Sequence, residues 1–146
     1  MICFIDVSSG LIRVYMMTEK SQVPTMIERF LRDTRKYFDT KMLFADNAKE
    51  HKSKAVEDIC NKHEIEHRFS CEYEPWQNAH VEHVFDTLVS VMRTMLTVAG
   101  APEEFWEAAA IQSERVHNVS AVMGGTRHSL VVELWEGGDN QHDRHA

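Results

Sequence analysis

Short β-prone runs alternate with longer amphipathic stretches along this chain, and this alternation limits the folds that the chain can adopt. Residues 2–7 and 11–17 are predicted to form a hairpin, and two further strands are predicted at 41–45 and 65–69. Residues 19–21 lead into the first predicted helix, which extends to about residue 38. Further helices are predicted at 49–62, about 77–98 and 102–120, and a short amphipathic segment follows at 129–135. The order strand, strand, helix, strand, helix, strand, helix, helix predicts an α/β or α+β layer protein with a mixed sheet.

The composition fits one globular domain and narrows the choice of partners. The chain has 146 residues, of which 43% are hydrophobic and 27% are charged. Its formal net charge of −7 repels a polyanion, so any binding of nucleic acid requires a local site. Charged residues interrupt every apolar run, and residues 1–7 lack the basic start of a signal peptide. Three cysteines predict a reducing compartment, so the chain is expected to be intracellular or a fragment.

Asp46 and Glu82 are the sharpest candidates for chemistry. Asp46 follows a short apolar strand, and ligands of α/β folds gather at the carboxyl ends of strands. Glu82 borders the apolar stripe of the long predicted helix, which predicts a half-buried carboxylate that needs a partner. Two carboxylate ligands from separate elements suit Mg²⁺. From the residues alone, the commoner interpretation is structural: an Asp at a surface turn, and a Glu that the helix dipole favours.

Six motifs, in order and in register, resemble the integrase core of copia-type LTR retrotransposons. The family pattern reads FIDDYSR..WVY, SDNGGEF, H..S.PYTPQQNGVAER, R.ML, FW.EA and ELW.G. The matching segments of this chain are residues 4–15, 43–50, 67–82, 93–96, 105–108 and 133–137. Thirty-five residues separate Asp46 from Glu82, which is the spacing of the family's D-D-E signature. The resemblance covers about residues 2–137.

The resemblance implies a ribonuclease H-like, three-layer α/β fold in a core domain at 1–137, followed by a disordered tail at 138–146. It implies DNA integration by metal-dependent polynucleotidyl transfer, in which three carboxylates hold two Mg²⁺ (or Mn²⁺) ions. Asp46 would be the second carboxylate and Glu82 the third. DNA and further copies of the chain are the implied partners, without a membrane, in the nucleus or a cytoplasmic retroelement particle. Four residues near the two carboxylates are candidates for contact with nucleic acid: Asn47, Trp76, Gln77 and Asn78.

The first carboxylate of the signature is not found in its expected place. In the family it lies on a strand before the hairpin, and this sequence starts at the hairpin. Asp6 matches the hairpin's own Asp and is predicted to cap the turn at 8–10. The absent strand would be central in the sheet, so we expect an unpaired edge on the hairpin. Without its carboxylate, we also expect weak metal binding and no catalysis by this chain. The alternative function is a non-catalytic ribonuclease H-like domain that binds nucleic acid or another partner.

Four other positions depart from the family pattern. Ala48 and Ala79 stand where the family has glycine, and His83 and Asp86 stand where it has basic residues. Asp86 would repel the phosphates that a Lys or Arg attracts, so weak and salt-sensitive binding of DNA is expected.

A second spacing resembles that of zinc ligands. Cys60, His63, His67 and Cys71 form C-x₂-H-x₃-H-x₃-C. The predicted helix turns Cys60 inward, and the predicted strand at 65–69 holds His67 and Cys71 far apart. A role without zinc is therefore favoured for these residues.

Overall fold

The computed structural model describes residues 1–7, 9–37, 39–45, 52–69, 75–120 and 128–134, with the backbone alone at 69, 75–78, 80, 81, 120 and 128–134. Five strands and four α-helices lie within these residues. They are β1 (Ile2–Asp6), β2 (Ile12–Tyr15), α1 (Val23–Thr34), β3 (Thr40–Ala45), α2 (Lys54–Lys62), β4 (Glu66–Phe69), α3 (Pro75–Ala99), α4 (Trp106–Ser120) and β5 (His128–Leu134). The predicted order is confirmed, and a fifth strand is added to it.

All five strands form one mixed sheet, in the order β2-β1-β5-β3-β4. β1 and β2 form the predicted antiparallel hairpin, and β3 pairs parallel with β4. β5 lies between these two pairs, antiparallel to β1 and parallel to β3. The expectation of an unpaired hairpin edge is wrong, because β5 pairs with every residue of β1. Within the described residues, β5 is the only strand that joins the two halves of the sheet.

Helices cover both faces of the sheet. In β1, Ile2 and Phe4 pack in the cluster that α1 and α2 share, whereas Cys3 and Ile5 pack in the cluster of α3 and α4. This alternation follows from the two-residue period of a strand. The buried apolar residues of the helices are Val23, Met26, Ile27, Phe30, Leu31, Val56 and Cys60 on one face, and Phe85, Leu88, Val89, Met92, Ala109 and Ala110 on the other. The fold therefore has three layers, helices on sheet on helices.

Local capping explains where the helices begin and end. α2 begins at Lys54 rather than near 49, because the Ser53 side chain accepts the N–H of Val56. α3 begins at Pro75, since proline suits the first turn of a helix, and Gly100 follows its last residue with a positive φ. None of the helices in the described ranges is long and apolar enough to cross a lipid bilayer.

Polar side chains of α4 cover the outer edge of β2. Asn118 accepts the N–H of Ile12 at 2.9 Å and donates to the carbonyl of the same residue at 2.8 Å. Glu114 is buried, accepts the N–H of Val14 at 2.7 Å and pairs with Arg13 at 2.9 Å. An amide and a carboxylate thus take the place of a further strand, which protects this edge from pairing with another chain.

Candidate metal and nucleic-acid site

Asp46 follows Ala45, the last residue of β3, directly in the sequence. Asp46 and the neighbouring Asn47 lie outside the described residues, so their predicted roles stay predictions. The strand that leads to them is described, and the prediction that it ends at Ala45 is confirmed. β3 runs parallel to both of its neighbours, β5 and β4. Because parallel strands end at the same edge of a sheet, the carboxyl ends of these three strands share the edge at which α/β folds hold their ligands.

Glu82 lies on α3, seven residues after its start, with an exposed side chain. The expectation of a half-buried carboxylate is wrong. Phe85, about one helical turn after Glu82, belongs to the buried part of α3 that packs on the sheet. Glu82 therefore lies at the edge of the contact between α3 and the sheet. Within the described part of the chain, its carboxylate makes no ion pair and no side-chain hydrogen bond.

The charges around Glu82 favour a cation. Asp86 follows Glu82 by four residues, which places both exposed carboxylates on the same side of α3. Like charges at this spacing repel each other, and a divalent cation would relieve that repulsion. The same pair of charges would repel DNA phosphates. Carboxylate oxygens are the donors that Mg²⁺ takes in proteins, so the residues present fit this ion.

The predicted DNA-contacting residues Trp76, Gln77 and Asn78 lie in the first turn of α3. Trp76 is helical, because α3 begins at Pro75, two residues before the predicted start at about residue 77. Only the backbone is described here, and the predicted contacts with nucleic acid stay predictions.

Asp6 caps the hairpin turn, as predicted. It is buried, and its carboxylate accepts the backbone N–H of Ser9 at 3.1 Å and the Ser9 hydroxyl. Gly10 completes the turn with a positive φ and donates its N–H to the carbonyl of Asp6. The Asp6 carboxylate is thus engaged in the turn.

The structure gives no support to the zinc spacing. Cys60 is buried in the core, and burial raises the pKa of its thiol to about 11, which disfavours the thiolate that a metal requires. His63 lies 3.2 Å from the carboxylate of Glu28. Among the residues that the structure describes, no three His, Cys, Asp or Glu side chains are grouped to hold a metal; Asp46 and Cys71 are outside that set.

Two solved retroviral proteins share this architecture. The HTLV-2 integrase catalytic core domain, solved in complex with magnesium in a trimeric form, matches with a TM-score of 0.64 and 16% identity, over 86% of this chain and 78% of that one. The catalytic core domain of BIV integrase matches with a TM-score of 0.62 and 16% identity, over 85% and 78%. The fold is therefore that of the ribonuclease H-like integrase catalytic cores.

A relative of higher identity is a Pol polyprotein of a plant retrotransposon. The retrovirus-related Pol polyprotein from transposon TNT 1-94 of Nicotiana tabacum is 32% identical over 110 residues, which make up 74% of this chain and 8% of the polyprotein. No family model matches the chain. The chain is thus similar to a small part of a retrotransposon Pol polyprotein, and its fold is that of an integrase catalytic core.

Proposed function

We propose that this chain is a DNA-integration core in which Asp46 and Glu82 bind a divalent cation beside a DNA phosphodiester. The observation that carries the proposal is the spacing of Asp46, directly after β3 in the sequence, and Glu82, on α3, in a chain with the fold of an integrase catalytic core and similarity to a retrotransposon Pol polyprotein. The magnesium in the HTLV-2 structure supports the choice of ion. When bound, Mg²⁺ or Mn²⁺ supplies activation of the attacking hydroxyl and stabilisation of the leaving oxygen in polynucleotidyl transfer.

Two groups of residues would carry this function, one at the metal and one at the DNA. Asp46 and Glu82 would orient the cation, because Asp46 directly follows β3 in the sequence and Glu82 lies about one turn before the packed part of α3. Asn47, Trp76, Gln77 and Asn78 would contact DNA, with Trp76 offering a ring on which a base can stack. Asp86 lowers the affinity for DNA by adding negative charge one turn from Glu82.

The alternative is a non-catalytic domain that binds partners, including further copies of this chain. A specific feature favours it: apolar side chains remain exposed along α4 and the turn before it, with 56% of Phe105, 49% of Val116 and 88% of Val119 accessible. Val116 and Val119 are three residues apart and lie on the same side of α4, and neighbouring exposed apolar side chains are typical of a contact surface when they form one patch. Light scattering of Val116→Glu and Val119→Glu variants, against the unmodified chain, tests self-association through this surface.

Calorimetric titration with Mn²⁺ tests the metal site. The unmodified chain should bind, and Asp46→Asn and Glu82→Gln should each weaken the affinity by about tenfold or more, since each removes one of few ligands. Glu107→Gln, an exposed Glu in the first turn of α4, is the matched control and should bind normally. An unmodified chain that does not bind Mn²⁺ would contradict the proposal.

A plasmid-nicking assay with Mn²⁺ separates the two functions. Nicking that both Asp46→Asn and Glu82→Gln abolish supports polynucleotidyl transfer. Metal or DNA binding without nicking supports the non-catalytic alternative.

A further inference from the structure

A dense group of cations occupies the end of α1 and the turn that follows it. Residues 29–36 include four basic residues and one acidic residue, although the whole chain has a net charge of −7. Arg29 and Arg32 are three residues apart on the same side of α1, and Arg35 and Lys36 follow the end of the helix. All four are exposed, and together they form the α1 basic surface.

Nearby carboxylates neutralise this surface only in part. Asp33 is the acidic residue that lies among the four cations in the sequence. The acidic residues on either side pair with other cations: Glu28 lies 3.0 Å from Lys62 of α2, and Asp39 pairs with Lys41 of β3. The surface therefore keeps an excess of positive charge on a protein that is negative overall.

Two of the guanidinium groups share the one carboxylate. Asp33 lies 3.9 Å from the Nε of Arg29 and 3.4 Å from the Nε of Arg32, and it also accepts the Tyr15 hydroxyl at 3.1 Å. Since each guanidinium has five N–H donors, most of these donors can still bind an anion. The guanidinium of Arg29 lies 5.1 Å from the centre of the buried Tyr15 ring. A side chain that is already ordered in this way loses less entropy when it binds a phosphate.

An exposed aromatic ring adjoins the cations. Tyr37 is 64% exposed, and the Nζ of Lys36 lies 4.9 Å from the centre of its ring. The N–H of Tyr37 donates to the carbonyl of Thr34 at 2.8 Å, which holds this residue next to the end of α1. An unpaired base can stack on such a ring, whereas the bases of a duplex are stacked on one another. Cations beside an exposed ring are therefore the combination that suits a single strand.

We propose that the α1 basic surface, together with Tyr37, binds single-stranded nucleic acid through its phosphates, with one base stacked on the Tyr37 ring. Attraction of the phosphates supplies affinity, and the ring supplies the preference for unpaired bases. α1 and α3 pack on opposite faces of the sheet, so this surface is separate from Glu82 and from the DNA contacts proposed on α3. The inference therefore goes beyond the proposed function and does not require a metal ion.

Anisotropy titrations with a labelled oligothymidylate test the α1 basic surface. They are run in EDTA, which removes any contribution from a metal ion. The unmodified chain should bind, and Arg32→Gln should weaken binding at low salt. The slope of log K against log[salt] should become shallower by about 0.7, the value for one phosphate contact to a single strand. Arg115→Gln is the matched control, because it removes an exposed cation from α4, on the other face of the sheet.

Three results of these titrations would overturn the proposal. The first is no binding by the unmodified chain, and the second is an equal loss of affinity in Arg32→Gln and Arg115→Gln. The third is a lower melting temperature of Arg32→Gln with unchanged affinity, which would limit this cation to stabilising the C-terminal end of α1. Mn²⁺ titration of the metal site is independent of all three.

Tyr37→Ala tests the stacked base. The affinity for oligothymidylate should fall by about fivefold or more, and the affinity for a duplex of the same length should not change. Phe105→Ala, which removes an exposed ring from the turn before α4, is the control and should bind both normally. An equal loss for single strand and duplex, or no loss for either, would contradict stacking on Tyr37. Displacement of the oligothymidylate by polyglutamate at equal charge would show a surface for acidic peptides instead.

Discussion

Asn118→Ala removes both hydrogen bonds by which this residue of α4 covers the edge of β2. The amide accepts the N–H of Ile12 at 2.9 Å and donates to its carbonyl at 2.8 Å. Ile12 is completely buried, whereas Asn118 is partly exposed. After the substitution, water can therefore replace the lost partners only in part.

The expected loss of stability follows from these two backbone groups. A buried polar group that loses its partner costs about 1–3 kcal/mol, and partial access of water puts each group in the lower half of that range. The free energy of unfolding should fall by about 2–4 kcal/mol, which is a large share of the roughly 5–15 kcal/mol that stabilises a typical domain. For a chain of this length, the melting temperature should drop by roughly 5–15 °C.

Thermal and urea denaturation, followed by circular dichroism, measure this loss, and light scattering at several concentrations measures self-association through the opened edge. Gln112→Ala is the control, because it shortens an exposed side chain of the same helix and should change stability by no more than about 0.5 kcal/mol. Asn118→Asp keeps an acceptor for the N–H of Ile12 but loses the donor, so its stability should fall between those of Asn118→Ala and the unmodified chain. Equal melting temperatures for Asn118→Ala and Gln112→Ala, with no self-association, would refute the reasoning.

Asp86→Arg should tighten binding of duplex DNA at low salt, because it places a cation on an exposed position of α3; anisotropy titrations no different from those of Glu104→Arg would show that this face does not meet DNA. The hydrogen bond from Lys62 lowers the pKa of Glu28 in the folded chain. This pair therefore stabilises the fold at a pH above the unfolded-state pKa of Glu, about 4.3, and the stabilisation is lost as the pH falls through the lowered pKa of Glu28. Glu28→Gln should therefore be less stable than the unmodified chain at neutral pH. The difference in the free energy of unfolding, measured by urea titration, should disappear at strongly acidic pH. Burial raises the pKa of Cys60 to about 11, so iodoacetamide should label this residue near neutral pH only in denaturant. Fast labelling of Cys60 in the native chain, assigned by peptide mass mapping among the three cysteines, would contradict the buried thiol.

Local patterns were sufficient to predict most of the elements. The hairpin could be predicted because a Ser-Gly turn joins two β-prone runs, and the buried face of α1 because Ile27, Phe30 and Leu31 recur at helical spacing. The place of β5 could not be predicted in the same way. Residues 129–134 are a short apolar run that fits a strand or a helix segment equally well, and its partners, β1 and β3, lie far away in the sequence.

The candidate site could likewise be predicted only in part from the sequence. The position of Asp46 after a strand could be predicted, because the apolar run ends at Ala45. The exposure of Glu82 could not, because the helical stripe shows which side of α3 is apolar but not where along its length the contact with the sheet begins. The roles of Glu114 and Asn118 were also missed, since a polar residue on a helix gives no local sign that it bonds to the backbone of a strand edge.

The central place of β5 has a consequence for synthesis on the ribosome. β1 and β3 leave the exit tunnel early, but the strand that separates them in the sheet is the last of the described strands to be made. At roughly 5–20 residues per second, the delay between the emergence of β1 and that of β5 is on the order of ten seconds. During this time the nascent chain carries two half-sheets whose inner edges have no partner. The yield of soluble protein should therefore depend on how fast translation passes from residue 45 to residue 134, and on chaperones that shield those edges meanwhile.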